Sequence, residues 1–155
     1  RQLNMTKVKI VYASITGNDE DIAYVLTEKF EALGCDVDMS EVSQTDAADF
    51  EDSDICIIAS YTYDQGIVPD EALDFFDDMH DLDLSGKVFG TCGSGDTFYE
   101  DFCRAVEEFT KVFEEVGAIR GSDSVKVELD PEQDDIDHLD NFAEEIYKKA
   151  QEMDL

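Results

Sequence analysis

The stretch KVKIVYASITGND, Lys7–Asp19, joins an apolar run of strand length to a loop of hydroxyl, glycine and amide side chains. This pattern predicts a buried strand over Lys7–Ala13 that turns into a helix directly after the loop. Backbone N–H groups and the positive dipole end at such a helix start attract an anion. Because no Lys or Arg occurs from Ile10 to Tyr24, a phosphate there would be held by neutral hydrogen bonds. This favours a bound cofactor over a phosphate that is about to be transferred.

Outward from this stretch, apolar runs of strand length alternate with segments of helical period. Further strands are predicted at Val37–Met39, Asp54–Ser60, Lys87–Cys92 and Ser124–Leu129. Helical segments are predicted after the first loop, from Pro69 to Met79, from Phe102 to Val116 and from Ile136 to Tyr147. Five strands alternating with helices predict an α/β fold, a three-layer α/β/α doubly wound five-stranded parallel sheet.

The composition indicates one globular domain. With 155 residues, 43% of them hydrophobic, the chain can bury a sizeable core and is not disordered. We interpret residues 1–4, which precede Met5, as an expression-vector remnant or a disordered tail, and residues 5–155 as a single domain. The net charge of −29 makes this an acidic protein and argues against nucleic acid or anionic membrane partners.

The cysteines Cys35, Cys56, Cys92 and Cys103 form no C-x-x-C pair and have no metal-ligand spacing with either histidine. A reduced cytoplasmic protein with buried thiols and no metal is therefore expected. No catalytic residues are expected either, because the two histidines support no Ser/His/Asp or Cys/His nucleophile arrangement.

Three loops are expected to meet at the carboxyl edge of the sheet, namely residues 14–19, 60–69 and 92–99. The second loop offers hydroxyl groups and the ring of Tyr63, and the third is glycine-rich and reaches Tyr99. Two aromatic rings beside a phosphate loop suit a flat heteroaromatic ring between them, and such stacking contributes ~1 kcal/mol beyond area burial. Glycines at 93 and 95 would let backbone amides approach the polar edge of that ring.

Together these motifs resemble the flavodoxins of the short-chain type, over residues 7–150. The matching stretches are SITGN at 14–18, YTYDQGIVP at 61–69 and GSGDTFYEDFC at 93–103. The last strand lacks the insertion that marks long-chain members. The resemblance implies the flavodoxin-like strand order 2-1-3-4-5 and a noncovalently bound FMN. It also implies low-potential one-electron transport between cytoplasmic redox proteins by a monomeric flavoprotein that is not an enzyme.

The resemblance also assigns the cofactor contacts. The phosphate would be bound by Ser14, Thr16, Gly17 and Asn18, with help from Thr62. Tyr63 would lie against the inner face of the flavin and Tyr99 against its outer face. The pyrimidine edge would be framed by backbone groups of Gly93, Ser94, Gly95 and Asp96. By position, the predicted site also includes Asp19, Ser60, Asp64, Gln65, Gly66 and Cys92.

Asp19 departs from the family pattern, which usually has Thr at this position. A carboxylate there would repel the phosphate dianion and compete for the same helix-terminal N–H groups. Alternatively, Asp19 points outward and caps the helix, as acidic residues in a first turn often do.

The charge of the chain suits brief docking to basic patches on redox enzymes, both a reductase donor and acceptor enzymes. Carboxylates near the flavin would also lower its potential for the last reduction, with Asp64, Asp96 and Glu100 as candidates. One charge ~10 Å away at an effective dielectric constant of ~20 costs about 1.7 kcal/mol before screening.

Other functions would need different residues or an additional pocket. A small FMN-dependent reductase or a ribonucleotide-reductase activator would keep the cofactor site but would need a substrate pocket over the ring. A receiver domain would need an acidic cluster after the first strand, where this chain has Ser14. A phosphate-transferring NTPase would need G-K-[ST]. The stretch from Asp81 begins like a calcium loop, but Cys92 occupies the position of its required Glu.

The Asp64-Gln65 pair, where relatives commonly carry Gly-Asp, generates a prediction about redox behaviour. In the family, the peptide after the aromatic residue flips so that its carbonyl accepts a hydrogen bond from protonated flavin N5. Glycine adopts positive φ easily and Asp less so, hence the flip should cost more here. The gap between the two one-electron potentials is therefore expected to be narrow. A redox titration measures it, and a strongly stabilised neutral one-electron form would contradict the prediction.

Overall fold

A parallel sheet lies at the centre of the computed structural model, which describes residues 5–62, 68–98 and 102–155. Its strands are β1 (Lys7–Ala13), β2 (Asp36–Glu41), β3 (Ile55–Ser60), β4 (Val88–Gly95), β5 (Ile119–Arg120) and β6 (Val125–Glu128). The strand order is β2-β1-β3-β4-β5, and β6 also pairs with β4. Every pair is parallel. The predicted doubly wound fold and its strand order are thus confirmed.

Within the described residues, four α-helices cover the sheet: α1 (Asn18–Ala32), α2 (Leu73–Met79), α3 (Arg104–Glu115) and α4 (Gln133–Glu152). Short 3₁₀ turns occupy Val42–Gln44, Ala47–Asp52 and Asp70–Ala72. The buried side chains of α1 and α4 share one core cluster, and those of α2 and α3 share another. The helices therefore form the two outer layers of an α/β/α sandwich. Among the described residues, none of the helices combines the length and apolar character that crossing a membrane requires.

The central strand β3 shows why both faces of the sheet need a helical layer. All six of its residues are buried. Ile55 and Ile57 belong to the core cluster under α1 and α4, whereas Cys56 and Ile58 belong to the one under α2 and α3. Successive side chains of a strand point to opposite faces, so a continuous apolar run such as ICIIAS fits a parallel sheet that is covered on both sides.

The fifth position in the sheet is filled by two short strands, which differs from the predicted single strand Ser124–Leu129. Val88 pairs with Ile119 of β5, and Cys92 pairs with Val125 of β6. The chain leaves the sheet between them, at residues 121–124. A strand of two residues carries too little apolar pattern to be predicted from sequence.

Strand β4 also runs further than predicted, to Gly95 instead of Cys92. Its last four residues pair with β6. The glycine-rich segment that was predicted to be loop therefore begins as a hydrogen-bonded strand, which fixes its position relative to the rest of the sheet.

The stacked aromatic rings under α3 generate a stability prediction. Phe113 is fully buried, and its ring centroid lies 4.7 Å from that of Phe89 and 5.5 Å from that of Phe50. The substitution Phe113→Ala is expected to lower the free energy of unfolding by about 3–5 kcal/mol, through lost burial and a residual cavity. Phe98→Ala is the matched control, because that ring is 84% exposed. Chemical denaturation measures both, and equal losses would contradict the packing described.

Candidate functional site

Three segments of chain meet at the carboxyl ends of the central strands. Residues 14–18 follow β1, residues 60–62 end β3 and follow it, and residues 93–98 end β4 and follow it. These are the predicted loops, apart from the parts that contain Tyr63, Asp64, Gln65, Gly66 and Tyr99. Those five residues lie outside the described ranges, so their predicted contacts with the flavin stay predictions.

The first segment forms an open helix start. Gly17 lies in the left-handed region with φ of 93°, and an added Cβ would meet nothing within 4 Å. Its N–H donates to Ser14 Oγ at 2.9 Å, and its carbonyl accepts from Asp21 N at 2.9 Å. The N–H groups of Asn18, Asp19 and Glu20 come before the first intrahelical donor, so they have no acceptor within the helix. This geometry leaves backbone donors for an anion above α1.

Asp19 turns into the protein, away from that open end. The residue is 1% exposed. Ser94 donates to it twice, from its backbone N to Oδ1 at 2.9 Å and from its hydroxyl to Oδ2 at 2.5 Å. The expectation that Asp19 points outward and caps the helix is therefore wrong. The physical reason is helical phase, because Asp19 shares one face of α1 with the buried residues Ile22, Leu26 and Phe30.

Burial has electrostatic consequences for Asp19 and its neighbours. Desolvation raises the pKa of Asp19 to about 7, although both hydrogen bonds from Ser94 act to lower it. Burial, and then the charge of Asp19, raises the pKa of Cys103 to about 12 and that of Cys92 well above its ordinary value. Both thiols therefore stay neutral near pH 7, while Asp19 titrates close to it.

The glycines at the end of β4 are required by the packing of the protein itself. An ideal Cβ on Gly93 would lie 1.9 Å from the carbonyl oxygen of Ser60 in β3. A Cβ on Gly95 would lie 2.9 Å from Cys103 Sγ. Ser60 is fully buried, and its hydroxyl donates to the carbonyl of Tyr61 at 2.9 Å. The sequence predicts that these glycines let backbone amides approach a ligand. In the structure, the close contacts at both glycines are with other segments of the protein.

Thr62 has a structural partner that sequence reasoning missed. Its Oγ1 accepts a hydrogen bond from Ala105 N at 3.0 Å. Ala105 lies in the first turn of α3, whose N-cap residue is Cys103, with φ of 55° and no side-chain cap bond. Thr62 therefore caps α3 from another loop and ties the end of β3 to that helix. The two residues are 43 positions apart, so no local sequence pattern predicts this hydrogen bond.

The turn after β4 is held to the end of β6. Asp96 Oδ1 accepts from Phe98 N at 2.9 Å, and Leu129 N donates to the carbonyl of Gly95 at 2.9 Å. The hydroxyl of Thr97 donates to Glu128. This part of the predicted pyrimidine-edge segment is thus shaped by bonds within the chain.

These features fit a phosphate ester that carries a flat ring. The phosphate end has neutral donors at α1, and the glycine-rich end of β4 lies at the same edge of the sheet. Asp19 is the exception in the set, because it adds a negative charge beside the anion site. Across residues 5–62, 68–98 and 102–155, the acidic, histidine and cysteine side chains form no group that could hold a metal ion.

Known proteins with this arrangement were found by sequence and by structure. The sequence model of the flavodoxin family matches residues 10–140. "Probable flavodoxin 2" of Bacillus subtilis (strain 168) is 38% identical over 147 residues, 94% of this chain and 97% of that protein. A flavodoxin structure from Streptococcus pneumoniae TIGR4 is 51% identical, with a TM-score of 0.91 over 93% of this chain and 99% of that one. A short-chain flavodoxin associated with a non-canonical PDU bacterial microcompartment is 45% identical, with a TM-score of 0.92 over 94% and 99% of the two chains.

The buried carboxyl of Asp19 generates a prediction about stability and pH. Its pKa is about 7 in the folded protein and 3.8 ordinarily, so between these values the folded state binds more protons than the unfolded state. The contribution of Asp19 to stability is therefore largest below about pH 4, declines up to about pH 7 and is level above it. The difference in unfolding free energy between Asp19→Asn and the wild type is therefore expected to shift in favour of the variant by up to about 4 kcal/mol as the pH rises from about 4 to about 7.

Urea denaturation at a series of pH values measures this difference. Asp21→Asn is the matched control, because Asp21 is an exposed carboxylate in the same turn of α1. Its difference from the wild type should change little with pH. A pH-independent difference for Asp19→Asn would show that the buried carboxyl does not titrate as described.

Proposed function

This chain belongs to the flavodoxin family, and on that basis we propose that it is a low-potential one-electron carrier between cytoplasmic redox proteins. Its cofactor is FMN, as in the family. When bound, FMN supplies the capacity to accept and release electrons one at a time. The observation that carries the proposal is the start of α1 within the matched region, where the N–H groups of Asn18, Asp19 and Glu20 are neutral donors with no acceptor inside the helix.

Different described residues would contact the phosphate and the ring of the cofactor. Ser14 and Thr16 supply hydroxyl groups, and Asn18 supplies an N–H at the positive end of the α1 dipole. Backbone groups of Gly93 and its neighbours at the end of β4 would frame the edge of the ring. The rings of Tyr63 and Tyr99 are proposed from sequence alone to stack on the two faces of the flavin.

The electrostatics of the site support a low potential. No Lys or Arg occurs from Ile10 to Tyr24, so no positive side chain of this stretch would neutralise the phosphate. Asp96 adds a carboxyl group at the same edge of the sheet. Negative charge near the flavin opposes the addition of an electron, and it does so most strongly where water is excluded.

Charge is distributed unevenly over the chain, and this supports the proposed choice of partner. From Phe30 to Gly86 there is no Lys or Arg. Lys111, Arg120 and Lys126 line a groove beside α3, where each is paired with a glutamate. The turns near β2 and α2 lie within the stretch that has no Lys or Arg, and we propose that basic patches of a reductase and of acceptor enzymes dock there briefly. The carrier is proposed to act as a monomer.

Reconstitution and a relay assay test the proposal. Apoprotein mixed with FMN should give a yellow protein whose flavin is released by acid. With NADPH, a flavodoxin reductase and cytochrome c, the holoprotein should speed cytochrome reduction, and added salt should slow the relay because docking is electrostatic. NADPH oxidation by the holoprotein alone would instead indicate a flavin reductase. Failure to take up FMN at high micromolar concentrations would rule out the carrier function.

A further inference from the structure

Asp19 places a carboxyl group at the start of α1, where the proposed function puts the phosphate of FMN. Its backbone N–H belongs to the open first turn, while its side chain turns inward to Ser94. The anion site and the carboxyl therefore belong to the same first turn of α1. Two negative charges on one turn repel each other, and the repulsion is stronger where water is excluded.

The surroundings of Asp19 offer little to offset that repulsion. From β4, Cys92 and Ser94 face it, and from the start of α3 the thiol of Cys103 does. On its own helix, Glu20 and Asp21 are exposed carboxylates, and Glu20 accepts a hydrogen bond from Tyr12 on β1. Lys126 acts on Cys103 from β6, but its ammonium lies 2.5 Å from Glu107 and is paired with it.

We propose that Asp19 couples the binding of FMN to the uptake of a proton: Asp19 takes one proton from solvent when the phosphate of FMN binds at the start of α1. The affinity for FMN therefore falls as the solution becomes more alkaline. This inference rests on the proposed function, since it concerns the same site. It depends on the carboxyl side chain that this chain carries at position 19.

The bond to Ser94 can survive the change of protonation. With Asp19 ionised, Ser94 donates from both N and Oγ. With Asp19 protonated, Oδ1 still accepts from the backbone N, while the new O–H donates to Ser94 Oγ, since a hydroxyl group can be donor or acceptor. The contact between α1 and β4 is thus kept in both states, and only the charge beside the phosphate changes.

The direction of the effect follows from linkage. The pKa of Asp19 is about 7 before the cofactor binds, and a dianion on the same turn raises it further. Above about pH 7, binding therefore requires proton uptake, and affinity falls by up to about tenfold per pH unit. The second ionisation of a phosphate monoester lies near pH 6, so the ligand itself changes little above pH 7.

The test is titration of apoprotein with FMN from pH 7 to pH 9, followed by flavin fluorescence. Calorimetry in buffers of different ionisation enthalpy counts the protons taken up. The wild type should lose affinity steadily with rising pH, with uptake that approaches one proton per FMN. Asp19→Asn should bind with nearly constant affinity and no uptake, because its amide keeps both bonds to Ser94 without a charge. Asp19→Thr, with the usual family residue, should behave likewise if the Asn variant folds poorly.

Two comparisons separate this effect from general electrostatics. Riboflavin, which lacks the phosphate, should bind the wild type with no such pH dependence. Asp21→Asn removes a charge from the same turn and should retain both the slope and the proton uptake.

A slope that persists in Asp19→Asn, or FMN binding by the wild type without proton uptake, would overturn the inference and leave the carrier function standing. Absence of FMN binding by the wild type and both Asp19 variants at every pH would overturn the proposed function and this inference with it.

Discussion

The contact between Asp19 and Ser94 fixes the geometry on which the rest of the site depends. It joins the first turn of α1 to the last residues of β4, two segments that the parallel sheet brings to the same edge. Two donors from one residue satisfy both carboxylate oxygens, and without them a carboxyl this deeply buried would be very costly. Gly93 completes the constraint, because any side chain there would push β4 away from Ser60. The anion end and the ring end of the site are thus set relative to each other by protein contacts alone.

Much of this was readable from sequence, because it depends on local periodicity. The apolar runs located four of the five sheet positions closely, and the loop after β1 identified the helix start. Even the burial of Asp19 had a signal, because positions 19, 22, 26 and 30 fall on one helical face. An acidic residue in a first turn favours an outward cap and the helical phase favours burial, and in this chain the phase decides the orientation of Asp19.

What sequence could not supply is the set of contacts between distant segments. Ser94 is 75 positions from Asp19, and Ala105 is 43 positions from Thr62. Neither hydrogen bond produces a periodic pattern in the sequence, because each joins the end of one element to the end of another. The two-residue strand β5 was missed because Ile119 and Arg120 are both exposed, so it has no buried apolar pattern. Pairing with β4 is what makes it a strand.

The buried carboxyl also ties affinity and potential to the same proton. An ionised Asp19 weakens the hold on the phosphate and, by the same Coulomb term, opposes reduction of a flavin bound nearby. A protonated Asp19 relieves both effects at once. Cys92 and Cys103 stay neutral in this range, whereas the charge of Asp19 changes close to pH 7. The carboxyl group of Asp19 therefore gives this chain a dependence on proton concentration that neutral donors around a phosphate do not create.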